Sequence, residues 1–263
     1  MVRMEQKQEV NVQIKPMRFP ESLLMFGIPA ALFAVAFYVL MPWLIRSGMN
    51  GYYASLLSLG IPLVLLGVAG VIGFKLEGGR GFKHMLARFR FKPIKGRQWL
   101  TIAIIFAAEM ALFIGLQFAN NALISGGIIP IPANLPEIAD PLAGGGIAMI
   151  DRMVGGLKGN WAALFITAGV LAVNVVGEEM WWRGYVYPRQ EKALGSKVWI
   201  VHGVMWALFH SYKYWDMLIL LPVSLGLALA VYKTNNSSPG LIFHTLTNGT
   251  TLAAVFVAVV FGP

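Results

Sequence analysis

The chain has 263 residues, 57% hydrophobic and 13% charged, with a formal net charge of +9 and no cysteine. Soluble domains carry about 45–50% apolar and about 25% charged residues, so an ordinary soluble globule, a disordered chain and a coiled coil are excluded. The absence of cysteine removes disulfide scaffolds, thiolate metal sites, iron–sulfur clusters and thiol nucleophiles, and the 29 glycines show no collagen period. What fits is an all-α polytopic transmembrane helical bundle, with about seven to eight spans expected.

Residues 1–20 are polar and mixed in charge. They lack the compact basic segment and small-residue cleavage site of a signal peptide, so a retained cytoplasmic N-terminal tail is expected. Apolar runs follow at 23–45 and 52–74, the second with Gly67, Gly70 and Gly73 spaced for close helix packing. A basic loop occupies 75–97 and a third run 99–118, so 21–118 reads as the N-terminal membrane helices. Residues 119–159 form a Gly/Pro-rich, non-cytoplasmic connection, with an interfacial helix expected at 142–157 and room for an eighth span. Residues 160–263 are read as one helical core. Its runs start near 161 and then cover 198–214, 217–232 and 241–261, each close to the ~20 residues that cross a ~30 Å hydrocarbon layer. No internal repeat is visible.

Lysine and arginine set the orientation. With the N-terminus inside, the inner segments hold seventeen basic residues and the outer ones four: Arg46, Arg152, Lys158 and Lys213. The net positive charge is therefore read as cytoplasmic loops against anionic lipid. No segment resembles a nucleic-acid module, so nucleic acid is not an expected partner.

A carboxylate in a lipid-exposed span costs roughly 2.5–3.5 kcal/mol on insertion scales, so the acids within apolar runs need a reason. The stretch from Asn174 to Arg183 reads NVVGEEMWWR and continues the run that starts near Trp161. Two adjacent glutamates cannot both ionise freely, and their titrations couple. Glu179 and Arg183 are four apart on one helix face, where an ion pair forms. Glu178 points about 100° away from Glu179, so one carboxylate is held by arginine while the other is left for water. The plainer reading ends the span here, with Trp181 and Trp182 as an interfacial aromatic belt.

Two further positions argue against that reading. His210 lies within the run at 198–214, four after Trp206. His244 and Asn248, also four apart, share a face at the start of the last run. If the helix bearing Glu179 continues to about Ala193 and returns after Gly195, Glu179 and His210 sit opposite each other, ~20 Å from the hairpin tip. Pro188 is expected to kink that helix. The tip carries Arg189, Lys192 and Lys197, so all candidates converge on a cavity expected to open to the cytoplasmic side.

At these residues the chain resembles the CPBP family of intramembrane proteases, which includes the eukaryotic CAAX prenyl endopeptidases. Glu178, Glu179 and Arg183 match its E-E-x-x-x-R motif, with Gly184 following. Trp206 to His210 matches F-x-x-x-H with Trp in place of Phe, and His244 with Asn248 matches H-x-x-x-N. The match spans 174–248.

The resemblance implies a CAAX protease-like endopeptidase that hydrolyses a peptide bond of a membrane-associated protein or peptide with glutamate-activated water. Glu178 would be the general base, helped by His210. His244 and Asn248 would stabilise the oxyanion. Glu179 and Arg183 would support them. Trp206 is read as a further supporting residue, and Asn174, by its place one turn before Glu178, as one that orients that carboxylate. No cofactor or metal is implied.

Three other readings stand beside it. A zinc metalloprotease would use Glu178, Glu179, His210 and His244 as ligands, although no H-E-x-x-H is present. A bacteriocin-immunity-like or scaffold membrane protein would use the same cavity without catalysis. A transporter would use Glu109, inside the third run, as a proton relay; a hydrogen bond within the bundle is the expectation preferred for it. His202 is read as a packing residue and His84 as a solvated one. Phe82, Phe89 and Phe91 in the basic loop are read as resting on lipid.

Overall fold

The computed structural model describes residues 14–262, which are helical with no strand among them. The expected tail at 1–20 lies largely outside the described residues. Five stretches are long and apolar enough to cross a membrane: Phe19–Arg46, Gly51–Leu76, Arg97–Ser125, Trp161–Thr234 and Ser238–Phe261. The fourth is three helices folded back on one another, so the described chain forms seven rods.

We label them with the short helices in chain order. α1 is Phe19–Arg46, α2 Gly51–Leu76, α3 Phe82–Arg88, α4 Arg97–Ser125 and α5 Ile147–Val154. α6 runs as Trp161–Glu179, a π-helical stretch Met180–Val186 and Tyr187–Leu194. α7 is Val198–Phe209, α8 Met217–Thr234 and α9 Ser238–Phe261. α6 packs against α2 and α9, and α8 packs against α4, α7 and α9. Large apolar side chains of α1, α2 and α4, among them Leu24, Val64 and Ile104, stay exposed. A belt of that extent suits lipid, not water.

Glycine brings α2 against α6. A Cβ on Gly67 would lie 3.4 Å from Cα of Gly177, and one on Gly73 would lie 2.6 Å from the Tyr185 ring. A Cβ on Gly177 would collide with the carbonyl oxygen of Leu63. The stripe expected from Gly67, Gly70 and Gly73 therefore packs beside the two glutamates.

Pro188 does not break α6. It sits at the start of Tyr187–Leu194, directly after the π-helical stretch. The widened turn shifts the ladder, with Tyr187 N–H donating to the carbonyl of Trp182, five residues back. Two freed carbonyls find partners elsewhere. That of Gly184, which Pro188 cannot reach, accepts from Arg88 Nη1 at 3.3 Å, and that of Arg183 accepts from Ser237 Oγ at 3.0 Å. Such re-satisfaction is what permits proline within a membrane helix.

Several expected boundaries move. α4 continues to Ser125, because Gln117 donates to Asn121 on the helix surface at 2.8 Å while Asn120 is buried. The connection therefore begins after α4 ends. It holds the eight-residue α5, too short for an eighth span. α7 ends at Phe209, and His210–Asp216 is a tight 3-10 turn in which Lys213 leaves helical geometry at φ −121° and ψ 60°. His210 is thus at the end of a short helix and not inside a longer one. Trp181 and Trp182 are not an interfacial belt. Trp182 is fully buried and stacks on Phe26 at 4.4 Å.

The basic loop is folded into the bundle. Phe89 is fully buried against Gly184. Arg88 is buried as well and pairs with Glu77 at 2.8 Å. Burial lowers the Arg88 pKa, and the Glu77 carboxylate opposes that shift. Phe82, by contrast, is exposed.

Candidate active site

Glu178 is 3% exposed and lines a cavity of about 610 Å³ together with Asn174, Trp206, His210, His244 and Asn248. Asn174 Nδ2 donates to Glu178 Oε1 at 3.0 Å, and Trp206 Nε1 donates to Oε2 at 3.0 Å. Asn248 Nδ2 in turn donates to Asn174 Oδ1 at 2.7 Å. A chain of hydrogen bonds therefore runs from α9 through Asn174 to the carboxylate, and α7 fixes the other oxygen.

His210 places Nδ1 2.9 Å from the carbonyl oxygen of Trp206. A carbonyl only accepts, so Nδ1 carries the proton and Nε2 of the neutral ring keeps its lone pair. The ring lies edge-on to Trp206 at 4.7 Å and to Phe209 at 4.6 Å. His202, about two turns earlier on α7, belongs elsewhere. It is fully buried, bonded to Gln190 at 2.7 Å and set between Phe26 and Tyr187, a packing role as expected.

Glu179 points away from the cavity. Its Oε1 accepts from Arg183 Nη1 at 2.9 Å and from His244 Nδ1 at 3.2 Å. The pair is fully buried on both sides. The Arg183 guanidinium also lies 4.4 Å from the Trp206 ring centre. Gly240 on α9 makes room, since a Cβ there would collide with Glu179 Oε2. The 100° divergence of two adjacent helical residues thus separates a cavity-facing carboxylate from an arginine-held one. His244 bridges the two layers, with one ring edge on Glu179 and its side chain on the cavity wall.

The cavity does not extend as expected. Its walls run outward from Leu227 and Phe243 to Tyr52, Lys213, Thr250 and Thr251. An adjoining hollow of about 570 Å³ shares those last four residues and continues to Asp140 and Gly145. Towards the basic end the way is filled by Trp182, Arg183, Val186, Tyr187 and Ser237, all fully buried. A cytoplasmic basic end and a cavity open to the cytoplasm therefore cannot both hold. Counting loop charges located the basic end, but charge cannot reveal which half of the bundle is packed with aromatic rings.

Among the described residues, no group of three or more His, Asp or Glu side chains is gathered as a metal site. Glu109 was expected to hydrogen-bond within the bundle. It is 2% exposed, yet neither carboxylate oxygen has a protein partner.

Residues 160–250 match the family model described as Type II CAAX prenyl endopeptidase Rce1-like. That segment contains every motif residue above and agrees with the resemblance to the CPBP proteases. No curated protein and no solved structure matches the chain.

Proposed function

We propose that this Rce1-like membrane chain is an intramembrane endopeptidase that cuts a membrane-associated protein or peptide by glutamate-activated water. The observation that carries the reading is the meeting of Glu178, His210, His244 and Asn248, from three separate helical segments, on one cavity wall. Hydrolysis of a peptide bond needs a base for water and donors for the oxyanion, placed within reach of one carbonyl.

Glu178 is the base. The N–H groups of Asn174 and Trp206 hold its carboxylate at a fixed angle, and the lone pair on His210 Nε2 offers the proton a second resting place. With Nδ1 of His244 engaged by Glu179, its Nε2 edge is the one left for substrate. The amide of Asn248 has a second N–H beyond the one given to Asn174. These two side chains are the oxyanion donors, His244 through Nε2–H of a ring that carries both protons against the Glu179 carboxylate. Arg183 and Glu179 keep His244 in place from behind, and the low dielectric of the bundle strengthens each bond.

In this reading the basic end faces the cytoplasm, against anionic lipid, and the substrate enters from the bilayer or the opposite side. The test compares the termini of membrane proteins in cells carrying wild type, a deletion, or Glu178→Gln at equal expression. New termini that appear with wild type alone support the proposal and name the substrate. Identical termini for wild type and Glu178→Gln would remove Glu178 from catalysis and put the binding or immunity reading first.

A further inference from the structure

Three charged side chains in the sealed layer have unmet hydrogen-bonding capacity. Arg183 is fully buried and uses Nη1 on Glu179, while Nε and Nη2 have no protein partner. Glu109 of α4 is buried with both oxygens unpartnered, and Glu179 Oε2 is unpartnered too. The donors all belong to one guanidinium and the acceptors to two carboxylates.

The packing brings these groups into one layer. α4 crosses α8 at Gly226, where a Cβ would lie 2.5 Å from Glu109 Oε2. The next residue, Leu227, reaches within 3.5 Å of a Cβ built on Gly240, the glycine that admits Glu179. Tyr187, one turn after Arg183, donates to the carbonyl of Ala228 at 3.2 Å. Phe106, one turn before Glu109, meets Phe243 edge-on at 5.1 Å, and Phe243 adjoins His244. Arg183 lies near enough to Glu109 for their charges to interact.

We infer that Glu109 is a second carboxylate for Arg183, joined to Nε and Nη2 through buried water, and that it is a positioning residue for Glu179 and His244. Buried polar groups in folded proteins find partners, and ordered water supplies them where side chains fall short. A guanidinium held by one carboxylate through one nitrogen can swing. A carboxylate on its far side fixes its plane against Trp206 and fixes the Glu179 oxygen that His244 donates to. Gly226 is then the α8 residue that lets α4 deliver the charge. Glu109 acts through Arg183 and touches no substrate. Its catalytic consequence rests on the proposed peptidase activity, but the pairing itself does not.

The test is therefore in two parts on the full-length protein in detergent. The first is a double-mutant cycle of unfolding midpoints for wild type, Glu109→Gln, Arg183→Gln and the double variant. Coupling predicts that the double variant loses less than the two single losses together; additive losses overturn the pairing whether or not the chain is a protease. A second cycle with Glu109→Ala and Gly226→Ala guards against variants that do not fold. Gly226→Ala should harm the wild type and be tolerated once the carboxylate is gone; equal harm in both backgrounds overturns the crossing. The second part uses a peptide spanning the cleavage site found from the cellular termini. Glu109→Gln should lower kcat roughly ten- to a hundredfold with KM unchanged. An unchanged kcat, or a change confined to KM, overturns the positioning role.

Discussion

Glu178 and Glu179 are neighbours in the chain and are 3% and 0% exposed, yet their surroundings have little in common. Glu178 accepts from neutral N–H donors and faces a cavity. Glu179 is held by Arg183 and His244 beneath that cavity, with aromatic packing on the far side. The difference teaches that one helical register can give a cavity-facing carboxylate and an arginine-held one at no greater separation than a peptide bond. In such a pair, burial alone does not distinguish the two acids; their partners do.

The comparison can be broken most directly at the two acids themselves. Glu178→Gln keeps the shape and one of the two acceptors and removes the proposed base. Cleavage of the identified peptide should fall roughly 10²–10⁴-fold with little change in unfolding midpoint. Arg183→Leu should do the reverse in kind. Removing one partner of a buried ion pair costs about 3–5 kcal/mol, so the folded yield and midpoint should drop together, and kcat of the protein that does fold should fall as well, because Arg183 holds the Glu179 oxygen to which His244 donates. If Arg183→Leu melts like wild type, the sealed layer is not a structural one.

A smaller effect is expected at Trp206. Trp206→Phe installs the Phe of the F-x-x-x-H motif that this segment resembles and deletes the N–H that holds Glu178 Oε2. A hydrogen bond to a charged group is worth about 1.5–3 kcal/mol, so kcat should fall at least about tenfold while the protein stays folded. Wild-type kcat would mean that Asn174 alone orients the carboxylate. Chelation separates the metal-free route from the zinc reading: activity after dialysis against EDTA should be unchanged, and loss restored by zinc would favour the ligand set instead. The mildest test concerns direction. The chain has no cysteine, so Thr250→Cys gives a single thiol on the cavity wall. An impermeant maleimide should label it from the side opposite the basic loop. Labelling from the cytoplasmic side would reverse the orientation.

Much of the site was legible because helical periodicity is local. The i, i+4 pairing of Glu179 with Arg183, the shared face of His244 and Asn248, and the divergence of Glu178 follow from 3.6 residues per turn. The orienting bond from Asn174 was legible for the same reason. Trp206 shows the limit. It was read as an aromatic substitute for Phe, but its N–H became a partner of Glu178 once α7 packed against α6. Glu109 was noticed as an acid in an apolar run, but no spacing within one segment relates it to Arg183, since the two lie on different helices.

The sequence by itself determined the class, the long apolar rods, the basic end and the polar residues that a membrane helix does not carry without cause. These depend on composition and on contacts within one or two turns. Tertiary structure alone decided that Pro188 follows a π-helical turn, that α7 stops at Phe209, and that Phe89 and Trp182 fill the basic half. It also decided that the cavity runs the other way. Those outcomes depend on how side chains from distant segments share volume, and no periodicity in a single segment encodes that.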